Sequence, residues 1–123
     1  MRQKKVTYFT EKEAEFVNLL IDVGINKNVA KVLVFLANTA EATSREIEHG
    51  TDLRQPEVSI ALRLLLEQNW IRSSKSKAES IGRPVKKYEL ARSIHEIMDC
   101  IENKKKIEVS EKLAVIQKLR EHG

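Results

Sequence analysis

The chain has 123 residues, of which 41% are hydrophobic and 33% charged, a balance suited to one small domain with at most a helical appendage and opposed to wholesale disorder. No apolar run approaches the ~18 residues of a membrane span, and no apolar stretch follows the basic start MRQKKVTYFT, so neither a membrane segment nor a secretory signal is expected. The single cysteine, Cys100, excludes an internal disulfide and points to a reducing, cytoplasmic setting; the net charge is +4, and residues 54–90 carry the positive excess, with 8 Lys/Arg against 4 Asp/Glu.

In chain order, residues 1–8 read as a short basic arm. A helix is predicted over Thr10 to Val23, with Thr10 and Glu13 as a capping box, Phe9 as hydrophobic staple and Gly24 as its stop. Its apolar stripe, Phe16, Leu19, Leu20 and Val23, is expected to face either the core or a second subunit. Asn26 caps the next helix, about Lys27 to Thr39, which is apolar around so much of its circumference that it must be central. Thr43 to Gly50 forms a short helix with Thr43 and Glu46 as its capping box and Gly50 as its left-handed end. After Thr51-Asp52-Leu53 a further helix is predicted from about Gln55 to Gln68, with Pro56 in the first turn, where its missing N–H costs nothing. Two short helices across a small Gly-containing turn are the signature of a helix-turn-helix.

Beyond Asn69 the period changes from helical to alternating. Ile71 to Ser74 and Val85 to Leu90 are strand-like and flank a basic loop, Lys75 to Pro84, as in a β-hairpin with a long tip. Tyr88 and Leu90 are expected on its buried face, Lys87 and Glu89 on the other, and Trp70 is read as a core plug beneath the hairpin. The predicted fold is mostly α with a small β-hairpin wing, a winged helix-turn-helix carrying amphipathic helices at both ends. Residues 1–91 form the winged unit with its N-terminal helix and residues 92–123 a C-terminal helical segment. In that segment Ile94, Ile97 and Ile101, then Val109, Leu113 and Ile116, recur in steps of three and four with Lys105 interrupting. Either one long helix or two broken near Lys104 to Ser110 fits, and the stripe serves a two-fold homodimer or folds back on its own domain.

The stretch TSREIEHGTDLRQPEVSIALRLLLEQNWI, followed by GRPVKKYEL, resembles the winged helix-turn-helix of transcriptional regulators of the MarR/ArsR superfamily, and INKNVAKVLVFLA upstream is similar to the first helix of the archaeal TrmB-like group. The resemblance covers about Ile25 to Leu90 and implies a transcriptional regulator that binds double-stranded DNA in a sequence-specific manner. Arg54 stands where the family usually has a Ser N-cap, Glu57 and Ile60 stand where polar or basic residues are frequent, and Asn69 replaces a Gly. The resemblance also places backbone phosphates near Ser44 and Arg45.

On the predicted recognition helix, Val58, Ala61, Leu62 and Leu65 fall on one side, while Pro56, Ile60, Arg63 and Glu67 fall opposite with Ser59 on the shoulder. In a major groove, Gln55 suits an adenine edge, Arg63 a guanine edge and Ile60 a thymine methyl, and Arg54 suits a phosphate. Arg83, Lys86 and Lys87 in the wing, with Lys75 and Lys77, suit a phosphate or the minor groove. Ile60 is equally readable as an isolated surface hydrophobe. No phosphate loop, serine-nucleophile, HExxH or CxxC pattern occurs, so an enzyme is not expected, and neither a cofactor nor a metal site is expected. His95, Asp99 and Cys100 share one helix, which more often means a solvated pair and an inert thiol than a sensor. The alternative function is a protein-interaction module on the same scaffold, for which Glu57 and Ile60 speak.

Overall fold

The computed structural model describes residues 10–76 and 85–123, and the chain divides into two compact units, Met1–Ala91 and Arg92–Gly123. The expected basic arm, the Phe9 staple and the wing-tip residues Lys77, Gly82, Arg83 and Pro84 lie outside the described residues.

The first unit begins with α1 (Glu11–Asp22), capped as the sequence predicts: Glu13 N–H donates to Thr10 Oγ1 at 3.1 Å and Thr10 N–H to Glu13 Oε1 at 2.9 Å. Gly24 follows with φ 104, a left-handed conformation that only glycine adopts at little cost. The buried side of α1 differs from the predicted stripe. Val17 and Leu20 are buried, whereas Leu19 and Val23 remain 55% and 43% exposed. An apolar stripe wider than the contact with one neighbour can bury only part of its width, and α1 spends that contact on the Val17/Leu20 side.

The central helix is α2 (Lys27–Ala37), which buries Val29, Ala30, Val32, Leu33, Val34 and Leu36. Asn26 Oδ1 accepts from the N–H groups of Asn28 and Val29 at 2.9 and 3.2 Å, and so caps the helix start. The helix ends two residues earlier than predicted, because Asn38 Nδ2 donates to Val34 O at 2.9 Å and Thr39 Oγ1 to Phe35 O at 2.8 Å, which satisfies two of its terminal carbonyls. A two-residue strand, β1 (Ala42–Thr43), then leads into α3 (Ser44–Thr51), whose start carries the predicted Thr43/Glu46 box. Its end is a correction: Asp52, with φ 59 and ψ 34, takes the left-handed position, and Gly50 lies inside the helix. Gly50 is needed for a different reason. A Cβ there would stand 2.7 Å from Cδ1 and from Cζ of Phe35 and overlap Cε1, so the bare backbone is what lets α3 approach the Phe35 ring on α2.

Next comes α4 (Gln55–Glu67), with Pro56 in its first turn. It buries Val58, Ala61, Leu62 and Leu65 and ends before Asn69, whose φ of 63 gives the left-handed turn that the family pattern assigns to glycine. Strands β2 (Ile71–Ser76) and β3 (Val85–Leu90) pair antiparallel from Ile71↔Leu90 to Ser76↔Val85, so Lys75 lies in the strand and not in the predicted loop. β1 adds to the far side of β3 through Ala42↔Tyr88 and Thr43↔Lys87, which gives the order β1-β3-β2. Trp70 and Ile71 are buried where α4 meets the sheet, and Ala91 N–H donates to Trp70 O at 2.8 Å across the base of the hairpin. The predicted alternation along β3 is blurred: Lys87, Tyr88, Glu89 and Leu90 are all half-buried.

The second unit is one continuous helix, α5 (Ile94–His122), opened by a Ser93/Glu96 capping box in which Glu96 N–H donates to Ser93 Oγ at 3.1 Å. Ile97 and Ile101 are buried, while Val109, Leu113 and Ile116 are exposed. No described helix is long and apolar enough to cross a membrane.

Candidate nucleic-acid interface

The face of α4 opposite its buried ridge carries the residues predicted to read DNA. Arg54, Gln55, Pro56, Ser59 and Arg63 are exposed, and Ile60 is 52% exposed. Four side chains at three- and four-residue spacing, each nearly or fully buried, fix the rotation of the helix, so the outward residues have no freedom to turn inward. Ser44 is half-buried and Arg45 exposed at the start of α3, and on β3 Lys86 is exposed.

Two charged groups find partners that sequence reasoning does not reveal. Lys87 Nζ lies 3.7 Å from Glu41 Oε2, a contact across the edge of the sheet with both groups open to solvent. Glu57 accepts from the backbone N–H of Arg54 at 2.9 Å. Arg54 occupies the N-cap but its guanidinium offers no acceptor, so α4 has half a capping box, supplied from the third helical position. The N-terminus of α4 is thus held by Glu57, the acid that the sequence reading counts against a DNA-binding role for this face. On the neighbouring strands Arg72 Nε donates to Glu89 Oε2 at 2.8 Å, between directly opposed residues of β2 and β3.

A cavity of 190 Å³ opens between the start of α3, β3 and the flank of α4 where its buried ridge meets its outward face. Ser44, Gln55, Ser59 and Arg63 line it together with Tyr88, and Leu62 and Leu66 form its apolar part. Tyr88 is the functional candidate that the sequence reading misses; it is assigned there to the core, yet it is half-buried and contributes to this surface. Burial raises its phenol above the ordinary 10.0, so it is a proton donor at neutral pH. Ile60 and Arg54 do not line the cavity. Among the described residues no group of three or more His, Cys, Asp or Glu side chains is placed to hold a metal ion, and Cys100 is a free, half-buried thiol.

No protein-family model matches the sequence, and no curated protein matches it significantly. Solved structures do match. The chain is similar to a possible transcriptional regulator from Methanosarcina mazei Go1, at 19% identity and a TM-score of 0.64, with 88% of this chain and 87% of that one covered. It is also similar to TrmBL2, an archaeal chromatin protein, at 19% identity and a TM-score of 0.72 over 89% of this chain, which spans 39% of the length of that protein. A third is a MarR family transcriptional regulator from Silicibacter pomeroyi DSS, at 17% identity and a TM-score of 0.54, with 89% and 81% covered. At these identities the likeness is one of architecture: the chain has the winged-helix fold, and its structural neighbours are transcriptional regulators.

Proposed function

We propose that the chain is a double-stranded DNA-binding transcriptional regulator that acts as a homodimer, with α4 in the major groove and the basic wing on the backbone or minor groove. The observation that carries this reading is the division of α4 into a fully buried ridge, Val58, Ala61, Leu62 and Leu65, and an outward face bearing Gln55, Ser59, Ile60 and Arg63 with Arg54 at its start, beside a strand with Lys86 and Lys87. The positive excess of residues 54–90 gives that side an attraction for phosphate. The regulators that share the fold favour the same reading, and the TrmBL2 chromatin protein among them shows a novel mode of DNA binding. Within it, Gln55, Ile60 and Arg63 meet base edges, and Ser44, Arg45, Arg54, Lys86 and Lys87 meet backbone oxygens.

A dimer places two recognition helices in successive grooves about 34 Å apart. Val109, Leu113 and Ile116 support this arrangement, since they recur at four- and three-residue steps and remain exposed, as a second copy of α5 would require. Of the expected dimer residues, Ile97 and Ile101 are already buried, so the exposed half of the stripe has the larger share of the contact to supply.

The test is duplex binding at two salt concentrations by the parent, Arg63→Ala and Lys87→Ala. Arg63→Ala is expected to relax base preference, and Lys87→Ala to weaken all sequences alike and lower the salt slope by about 1. Both variants binding every duplex as the parent does would refute these roles. One observation favours a second reading, a protein-interaction module: Ile60 exposes an apolar side chain at the centre of the outward face. Absence of duplex binding at low salt would select it.

A further inference from the structure

Two apolar surfaces are left over once Val109, Leu113 and Ile116 are given to a second copy of α5. The first lies on α5 itself. Ile107, Val115 and Leu119 are exposed, and at 3.6 residues per turn they point roughly 140° round the helix from the Val109/Leu113/Ile116 stripe. A helix that is apolar on two sides calls for two neighbours. The second lies on α1, where Leu19 and Val23 are exposed one turn apart and the half-buried Phe16 extends their row by three residues. Three side chains from each copy also fall far short of the roughly 20–30 residues a side of a stable interface, so a homodimer needs more surface than the first stripe provides.

Charge selects what covers the second side of α5. From Lys104 onward that helix carries six Lys/Arg against three Glu, so the same face of another α5 would set cation against cation. α1 carries four Asp/Glu against one Lys, and Glu15 and Asp22 flank Leu19 at helical spacing. The lengths agree as well: α1, with 12 residues, is ~18 Å long, and Ile107 to Leu119 spans ~18 Å. On the basis of the homodimer reading, we infer that α1 docks through Leu19 and Val23 on the Ile107/Val115/Leu119 side of α5 of a second copy, and that its acidic flank meets the basic half of that helix. The interface is then a bundle of four helices, two α5 and two α1. Because the Val17/Leu20 side of α1 is buried, this docking attaches the winged unit directly to the other copy.

The test uses the full chain. Leu19→Lys places a cation against the basic half of α5 at an exposed position; the urea midpoint is expected to hold while the dimer dissociation constant rises about tenfold or more in sedimentation equilibrium. Glu15→Lys is expected to weaken the dimer at low salt and much less at high salt, where the attraction it removes is already screened. Cross-linking reads the proximity directly. In a Cys100→Ser background, chains with Leu19→Cys and chains with Val115→Cys, near the centres of the two faces, are produced together and treated with a short bismaleimide. Linked pairs with one chain of each kind, in excess over Val115→Cys pairs, are the result expected. Val115→Cys pairs alone would mean that this side of α5 meets its own kind and would overturn the docking. A dimeric parent whose Leu19→Lys variant dimerises equally well overturns it too, and the homodimer reading stands. A parent that sediments as a monomer at micromolar concentration removes both.

Discussion

Replacing Gly50 by Ala sets two physical rules against each other with opposite signs. Gly50 lies inside α3, where Ala is favoured over Gly by ~1 kcal/mol from backbone entropy alone, so propensity predicts a more stable protein. The fold predicts the reverse. A new Cβ would stand 2.7 Å from two carbons of the Phe35 ring and nearer still to a third, against the ~3.5–4.0 Å of ordinary carbon contact. Either α3 moves off α2, or the half-buried Phe35 ring tilts outward and gives up packing; forced overpacking of this kind costs ~1–3 kcal/mol. Set against the propensity gain, the net expectation is a loss of up to ~2 kcal/mol where propensity alone predicts a gain of ~1, read as a fall in the urea midpoint at unchanged m-value by far-UV circular dichroism. Phe35→Leu in the Gly50→Ala background should recover part of it, with a coupling of at least ~0.5 kcal/mol in the double-mutant cycle. A Gly50→Ala variant more stable than the parent by the ~1 kcal/mol that propensity predicts, or two strictly additive substitutions, would refute the argument that the Phe35 contact sets the α2–α3 separation.

Glu57→Ala leaves the Arg54 N–H without its acceptor and should cost ~1 kcal/mol by the same denaturation assay, whereas Glu57→Gln, which keeps an acceptor, should cost less; equal effects would show that charge and not capping matters. Tyr88 supplies a pH signature. Its folded pKa lies above the unfolded 10.0, so the folded state holds the proton more tightly, and the contribution is full below pH 10 and declines as pH rises through the folded pKa. Denaturant unfolding on either side of pH 10 should show that decline in the parent and less of it in Tyr88→Phe. Leu113→Asp places a charge on the exposed α5 stripe and should shift the sedimentation of a dimeric parent to that of a monomer; an unchanged dimer would remove α5 from the interface.

What the sequence made legible was local. The Thr10, Asn26 and Thr43 caps, Pro56 in the first turn of α4, the buried ridge of that helix and the turn at Asn69 are set by neighbours within four residues, and each stands where the pattern puts it. What it hid depends on residues far along the chain. Gly50 looks like a helix stop, because glycine stops helices, and only the approach of Phe35, fifteen positions earlier, explains why it lies inside one. β1 is two residues long and exists because β3 passes beside it, more than forty positions later. Tyr88 sits where strand alternation assigns it to the core, and the cavity it lines is made by α3 and α4. For α5 the difficulty was different: Lys105 interrupts an apolar stripe, but a stripe is not a hydrogen-bond ladder. With no Gly or Pro between Ile94 and His122, and with Lys105–Glu108 and Lys106–Glu102 pairs at 3.1 and 3.3 Å along its surface, nothing breaks the helix there.

Glu57 and Ile60 are the two residues that speak for protein binding over DNA binding, and they do not weigh the same once their surroundings are known. A carboxylate on the outward face of a recognition helix would ordinarily repel a phosphate backbone, which makes it an argument against DNA. Here the residue at the N-cap, Arg54, cannot accept a hydrogen bond, so α4 obtains its cap from Glu57, and one carboxylate oxygen is engaged with the helix's own backbone. The charge also lies in the first turn, where it meets the positive end of the helix dipole, and the Arg54 side chain beside it adds a cation to the same end. Glu57 therefore has a structural reason to be present whichever partner the face meets, and it ceases to discriminate. Ile60 is compatible with either partner, since an apolar side chain gains by burial against a thymine methyl as well as against a protein surface, but only the first gain depends on base sequence. The decision passes to Ile60→Ala assayed on duplexes that differ only in thymine content: a loss confined to thymine-bearing sites assigns the face to DNA, and equal binding to every duplex removes Ile60 from base reading.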